Sequence, residues 1–385
     1  MSYELICNAN NLIRAAKKAA KGTDWKGSVQ DFHINLLQNV YKQQQIIRSG
    51  KYHPMPLNEF KLYERGHTRY IKSHHIADRV IQGSFNENVL LPRTRPLLIY
   101  DNGASLKGKG VDFARKRFEW HLKKALAEYG DDACVVFTDY TKYFDNIIHD
   151  TSKAALRPYL DDDEYSFIEK HFAEYEIDVS YMTDEEFANC MNVPFNSIVY
   201  AETIPESAKT GEKIMKKSSG IGAQTSQTIG VFYPNPVDTY CKYVLALKYY
   251  GRYMDDTYII CRNRAEAKRV FGLVKVKCAE SGLFINEKKT RIENIRKWHT
   301  FLKVNYLLLD SEHLIRKVHA SVIAREIKKL GKFHRLLQRG EMPFEDIQQS
   351  YRSWRGRYKK FDSGYEIVRM DNRFEKIFGR RYNDE

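Results

Sequence analysis

The stretch KYYGRYMDDTYIICRN (residues 248–263) sets two adjacent aspartates, Asp255 and Asp256, between two runs of aromatic and branched residues. The pattern predicts a β-hairpin with the aspartates at its tip. Aspartate is a good turn residue, so a solvated turn accounts for the pair on local grounds. The flanks argue for more. Thr257–Cys261 shows almost no polar alternation, which predicts a returning strand buried on both faces. Tyr253 and Met254 are bulky and apolar, unlike a tip selected for solubility. Carboxylates crowded beside apolar surface repel one another, and a cation keeps them ionised.

A third carboxylate stands upstream. In CVVFTDYTKYFDNI (residues 134–147) a run that reads as a buried strand leads to Asp139, at the expected end of a sheet. Three carboxylates from two neighbouring strands can hold two Mg2+ ions about 4 Å apart, the arrangement for in-line attack on a phosphoryl group. Hard divalent cations take oxygen ligands and this set offers nothing else, so Mg2+ is the expected cofactor, with Mn2+ as a substitute.

The 385 residues leave room for one large domain or a few subdomains with ample core. No window approaches about eighteen uninterrupted apolar residues, so no membrane partner is expected. The N-terminus lacks the basic-then-apolar layout of a signal peptide, and the six cysteines are scattered without a CxxC pair. A cytoplasmic protein with reduced thiols is the expectation. The formal net charge is +14, and from Asn286 onward 24 basic residues face 14 acidic ones. That concentration points to a polyanion, because basic side chains on phosphates release counterions.

Along the chain, residues 1–60 read as a helical extension with glycine stops at Gly22 and Gly50. FKLYERGHTRYIKSHH (residues 60–75) predicts a hairpin turning at Arg65–Gly66. Two helices, over residues 75–95 and 110–130, flank the loop GASLKGKG (residues 103–110). An acid-rich helical stretch runs from the Asp139 strand to about residue 190. SGIGAQTSQTIGVFYPNPVDTYCKYVLA (residues 219–246) reads as a small-residue loop feeding one long helix. After the opening hairpin come a helix (residues 265–283), a short strand region (residues 284–292) and a second hairpin, HTFLKVNYLLLDSEHLIRK (residues 299–317). The tail is helical and basic. Together these predict an α+β body over residues 61–320 and a helical subdomain over residues 321–385.

YMDD in a hairpin, preceded by FTDYTKYFDN and GIGAQTSQ, resembles the palm of a reverse transcriptase. TRYIKSHHIADRVIQ is similar to that family's fingers segment, LKGKG to its basic glycine loop, GLFINEKKT to its lysine motif and HTFLKVNYLL to its primer grip, all in family order. The resemblance implies a right-hand polymerase with fingers, an antiparallel palm sheet carrying the YMDD hairpin, and a helical thumb. It implies Asp139 and Asp255 as main metal ligands, Asp256 as the third carboxylate, and the Tyr140 carbonyl as an aid at the nucleotide metal. Lys289 falls where the family protonates pyrophosphate, and Phe144 at the steric gate that favours dNTPs. Arg69, or else Arg79 or Lys72, would meet the triphosphate. Ile221, Gly222 and Gln224 fall in the nucleotide loop. Lys107 and Lys109, Tyr253 and Met254, and Arg352, Arg355 and Arg357 would touch nucleic acid, while Trp354 and Tyr358 either stack on it or fill the thumb core.

Two departures matter. Ile221 stands where many members have glutamine, a replacement also found in the error-prone enzymes of diversity-generating retroelements. About 65 residues follow residue 320, room for a thumb but not for an RNase H module. The resemblance is therefore to compact bacterial retron, diversity-generating and antiphage-defence enzymes. Expected partners are an RNA template or dedicated non-coding RNA, its cDNA and dNTPs, with a homo-oligomer or accessory protein possible; antiphage defence is the leading role. The alternatives are a diversity-generating enzyme, a template-independent or protein-primed DNA polymerase, an RNA-dependent RNA polymerase, and a nucleic-acid scaffold with a vestigial palm.

Overall fold

Four short helices occupy the start of the chain: α1 (Ser2–Cys7), α2 (Ala9–Ala20), α3 (Gly27–Ile34) and α4 (Leu36–Arg48). Asn8 begins α2 because its side-chain oxygen accepts from the backbone N–H groups of Asn10 and Asn11. The hairpin β1 (Asn58–Glu64) and β2 (His67–Ser73) follows, in antiparallel register with Glu64 opposite His67. Next come α5 (Ile76–Phe85), α6 (Leu91–Thr94), α7 (Val111–Tyr129) and β3 (Cys134–Thr138), whose five residues are all buried. The computed structural model describes residues 2–64, 66–311 and 313–383. Arg65 of the first predicted turn and Glu312 of the second predicted hairpin lie outside the described residues.

The acid-rich segment holds α8 (His149–Leu156) and α9 (Asp162–Ala173), the latter opened by a reciprocal capping box between Asp161 and Glu164. A small antiparallel pair, β4 (Ile177–Asp178) with β5 (Ile214–Met215), brackets α10 (Asp184–Asn189) and α11 (Ser197–Thr203). The predicted long helix is interrupted. It forms α12 (Gln224–Phe232) and α13 (Asn235–Thr239), followed by a π-helical turn over Tyr240–Val244. Pro234 and Pro236 lack the N–H groups that an unbroken helix needs there.

The opening stretch forms β6 (Tyr250–Tyr253) and β7 (Asp256–Cys261), followed by α14 (Arg264–Glu280) and β8 (Arg291–Asn294). These strands and β3 make a four-stranded sheet in the order β6-β7-β3-β8. The second predicted hairpin is a three-stranded meander of β9 (His299–Phe301), β10 (Val304–Leu308) and β11 (Leu314–Val318). Leu302 and Lys303 both take positive φ (47° and 66°), which closes a two-residue turn inside the first predicted strand. The chain ends in α15 (Ala320–Gln338), α16 (Phe344–Tyr358) and α17 (Gly364–Phe378). The architecture is α+β, and among the described residues no helix is long and apolar enough to cross a membrane.

The chain divides into two compact units. One takes residues up to Gly110, Phe137–Ile259 and Lys268–Arg291; the other takes Val111–Val136, Ile260–Ala267 and residues from Ile292 onward. Within the second unit Tyr351, Trp354, Tyr358 and Phe374 are buried, with the Tyr351 and Phe374 rings stacked at 4.7 Å and Tyr351 and Trp354 at 5.6 Å. Trp354 and Tyr358 therefore serve the core, the second of their two expected roles.

Gly251 lies directly opposite Tyr258 in the β6–β7 register, and a Cβ there would sit 2.5 Å from the Tyr258 hydroxyl. Gly251→Ala is expected to destabilise the fold by about 1–3 kcal/mol through overpacking, read as a lower urea midpoint.

Candidate active site

Strands β6 and β7 pair from Tyr250–Ile259 to Tyr253–Asp256, so Met254 and Asp255 alone form the connecting loop. Two-residue hairpins need positive φ at their first loop residue, a place usually filled by glycine. Met254 takes φ 55° there, a costly conformation that its surroundings must hold. Arg252 supplies the hold. Its Nη1 donates to the Met254 carbonyl at 3.2 Å and its Nη2 to the Val231 carbonyl at 2.8 Å. Asp238, on α13, accepts from Arg252 Nη2 at 2.6 Å and from the Tyr250 hydroxyl at 2.5 Å. Both charged side chains are fully buried. Burial opposes the guanidinium charge, but Asp238 outweighs it and holds the Arg252 pKa above its ordinary value.

Asp139 follows β3, and two contacts set its place. The hydroxyls of Thr138 and Thr257 lie 2.5 Å apart. The Asp139 carbonyl accepts from the Asn286 N–H at 2.8 Å, while Thr141 N–H donates to the Phe284 carbonyl at 2.7 Å. Residues 284–286 thus run antiparallel beside residues 139–141, through the Tyr140–Ile285 bridge. The tight turn after them brings Lys289 back, and its Nζ donates to Asp139 Oδ2 at 2.5 Å. That bond raises the Lys289 pKa.

Asp255 completes the cluster. Burial, then the charges of Asp256 and Asp139, push its carboxyl up to about 7. Burial and crowded like charges together mark a candidate functional site. Carboxylate oxygens and a neighbouring backbone are the donors Mg2+ or Mn2+ takes, so Asp139, Asp255 and Asp256 are residues that could hold such an ion.

The other expected site residues fall in several places. Phe144 is half-buried against α12, and a Cβ on Gly230 would lie 2.9 Å from its ring. Ile221 and Gly222 sit in the loop before α12, and Gln224, its first residue, donates to Glu87 at 2.8 Å. Arg69 is exposed on β2, and Lys72 pairs with Glu59 at 3.2 Å. The Arg79 guanidinium donates to the Ala19 carbonyl at 2.6 Å, so it is spent on joining α5 to α2. Lys107 is exposed; Lys109 donates to the Tyr100 carbonyl at 2.6 Å and lies over the Tyr100 ring. Tyr253 is half-buried beside the loop. In the second unit Arg355 is tied to Asp371 at 3.1 Å and Arg352 to the Tyr382 carbonyl at 2.8 Å, while Arg357 is exposed. The structure thus gathers Asp139, Asp255, Asp256 and Lys289.

Sequence reasoning passed over Arg252 and Asp238. The available signal was an arginine inside an otherwise apolar strand, which burial permits only with a paired acid.

Residues 191–331 match the family model described as reverse transcriptase (RNA-dependent DNA polymerase). The match takes in Ile221, the β6–β7 hairpin and Lys289; Asp139, Phe144 and Arg69 lie upstream of it. No curated protein matches the chain.

The raised Asp255 carboxyl predicts a pH effect. The folded state holds this proton more tightly than the unfolded chain, so the group's stabilising contribution is complete below its ordinary value of 3.8 and is lost as pH rises towards about 7. Thermal melts in EDTA should therefore fall more steeply over that window for the wild type than for Asp255→Asn, and Mg2+ should recover the wild-type loss at pH 7. Parallel curves for the two proteins would contradict the assignment.

Proposed function

We propose that this chain, whose residues 191–331 match the reverse transcriptase family model, is an RNA-directed DNA polymerase that builds cDNA from dNTPs on an RNA template. The observation that carries the reading is the meeting of Asp139, Asp255 and Asp256 at one sheet end, with Asp255 pushed up to about 7 by burial and its two neighbours. When bound there, a pair of divalent cations lowers the pKa of the primer 3′-hydroxyl and offsets the charge of the departing pyrophosphate. The chain's own residues do the rest. Asp139 and Asp255 orient the reacting groups, and Asp256 shares their load from the exposed side of the hairpin. Lys289, already donating to Asp139, supplies a proton to the leaving pyrophosphate. Phe144, braced on Gly230, presses against a ribose 2′-hydroxyl and so selects dNTPs.

Residues 61–320 act as fingers and palm and residues 321–385 as thumb, with the net positive charge of the last hundred residues gripping the duplex backbone. The template is a dedicated non-coding RNA and the role is antiphage defence, by resemblance to compact bacterial enzymes. Sequencing the RNA that co-purifies with the protein, together with the cDNA it makes, tests this. A single structured RNA supports it, and a variable-gene repeat copied with errors would instead favour diversification.

Primer extension on an RNA template tests the chemistry. Asp255→Ala is expected to reduce it to background and Asp256→Ala by about 10–100-fold, with unchanged circular dichroism. Incorporation of NTPs but not dNTPs by the wild type would overturn the reading. Phe144→Ala should shift the dNTP-to-NTP ratio of kcat/KM towards NTPs by about tenfold, or ~1.4 kcal/mol.

A further inference from the structure

A second cluster lies inside the first unit, apart from the aspartates. His74 follows β2, while His171 and Glu174 sit three residues apart on one face at the end of α9. Each offers one ligand atom, and these atoms all lie within 4.8 Å of one another. His74 Nε2 and Glu174 Oε2 are 2.9 Å apart, and Gln82 donates to the same oxygen at 3.1 Å. That leaves two buried atoms with no hydrogen-bond partner, His171 Nδ1 and Glu174 Oε1. His171 is 1% exposed and the Glu174 side chain 10%. Buried polar atoms usually find partners, and of the several among the described residues that do not, two belong to members of this one cluster.

We propose that His74, His171 and Glu174 form a Zn2+ site that clamps the end of α9 to the junction between β2 and α5. Two imidazoles and a carboxylate are the donors of a three-ligand zinc centre and a poor set for Mg2+, which takes oxygen. Ligand atoms around zinc lie about 3.3 Å apart, so closing on the ion takes side-chain shifts of about 1 Å. The other ring nitrogen of His171 is 3.3 Å from the Ser226 hydroxyl, which itself donates to the Ser219 carbonyl. Such an outer hydrogen bond orients a metal-bound imidazole. Tyr175, next to Glu174, packs so closely under Gly220 (φ 63°) that a Cβ there would lie 2.0 Å from its ring. The clamp therefore sets the loop carrying Ile221 and Gly222, which makes the ion a stiffener of that loop and chemically distinct from the catalytic pair.

Metal analysis and Co2+ titration test the site on the full chain. The expected result is one zinc per chain, retained in an Asp139→Asn/Asp255→Asn double variant, and a tetrahedral Co2+ absorption band in both proteins that Zn2+ displaces and Mg2+ does not. His171→Ala and Glu174→Gln should lose the band and weaken Zn2+ by about 100-fold. If those variants do not fold, the wild-type titration still decides. A protein without the band, or a band that disappears in the double aspartate variant, overturns the proposal; the latter would place the ion on the catalytic carboxylates. Failure of the polymerase reading would leave the band in place.

Discussion

The buried Arg252–Asp238 pair sets the position of the hairpin loop. Taking two charges out of water is expensive, and the cost is offset only when every donor and acceptor finds a partner. Here the guanidinium meets Asp238, the Val231 carbonyl and the Met254 carbonyl, and the carboxylate also receives the Tyr250 hydroxyl. One side chain thereby ties α12, α13 and β6 to a loop residue in a costly conformation. Breaking such a pair costs about 3–5 kcal/mol, of the order of a protein's whole stability. The loop that carries Asp255 is held by an interaction the fold can scarcely lose.

The contrast with the loop tip is instructive. Arg252 and Asp238 are a balanced pair in full burial, whereas Asp139, Asp255 and Asp256 crowd three acids together, with the Lys289 ammonium paired to Asp139. The framework is locally consistent and the tip is not. Such conflict is expected where function, not stability, chose the residues. The strands that carry them, β3 and β7, are buried almost throughout, and repelling carboxylates stay close only where the backbone is held by such packing.

Much of this was legible in the residues. The buried run before Asp139, the apolar returning strand after Asp256 and the glycine stops of the early helices each follow from local pattern, and each lies where that pattern puts it. The misreadings have definite causes. Two prolines interrupt the helix after the glycine loop, because an apolar period says nothing about missing donors. A turn at Leu302–Lys303 went unseen because neither residue is a usual occupant of positive φ. Arg79 looked free for a phosphate, but its partner is a backbone carbonyl in a helix some sixty residues away, which no periodicity encodes.

By itself the sequence determined most element types, the α+β class, and the hairpin with its two aspartates, since these depend on local alternation, turn chemistry and residue identity. Tertiary structure decided which charges meet. It set Lys289 on Asp139, Asp238 on Arg252 and His74 on Glu174, and it sent Trp354 and Tyr358 into a core. The reason is range: backbone preferences act over a few residues, whereas a charge's partner is chosen by what folding brings within a few ångströms, at whatever distance along the chain.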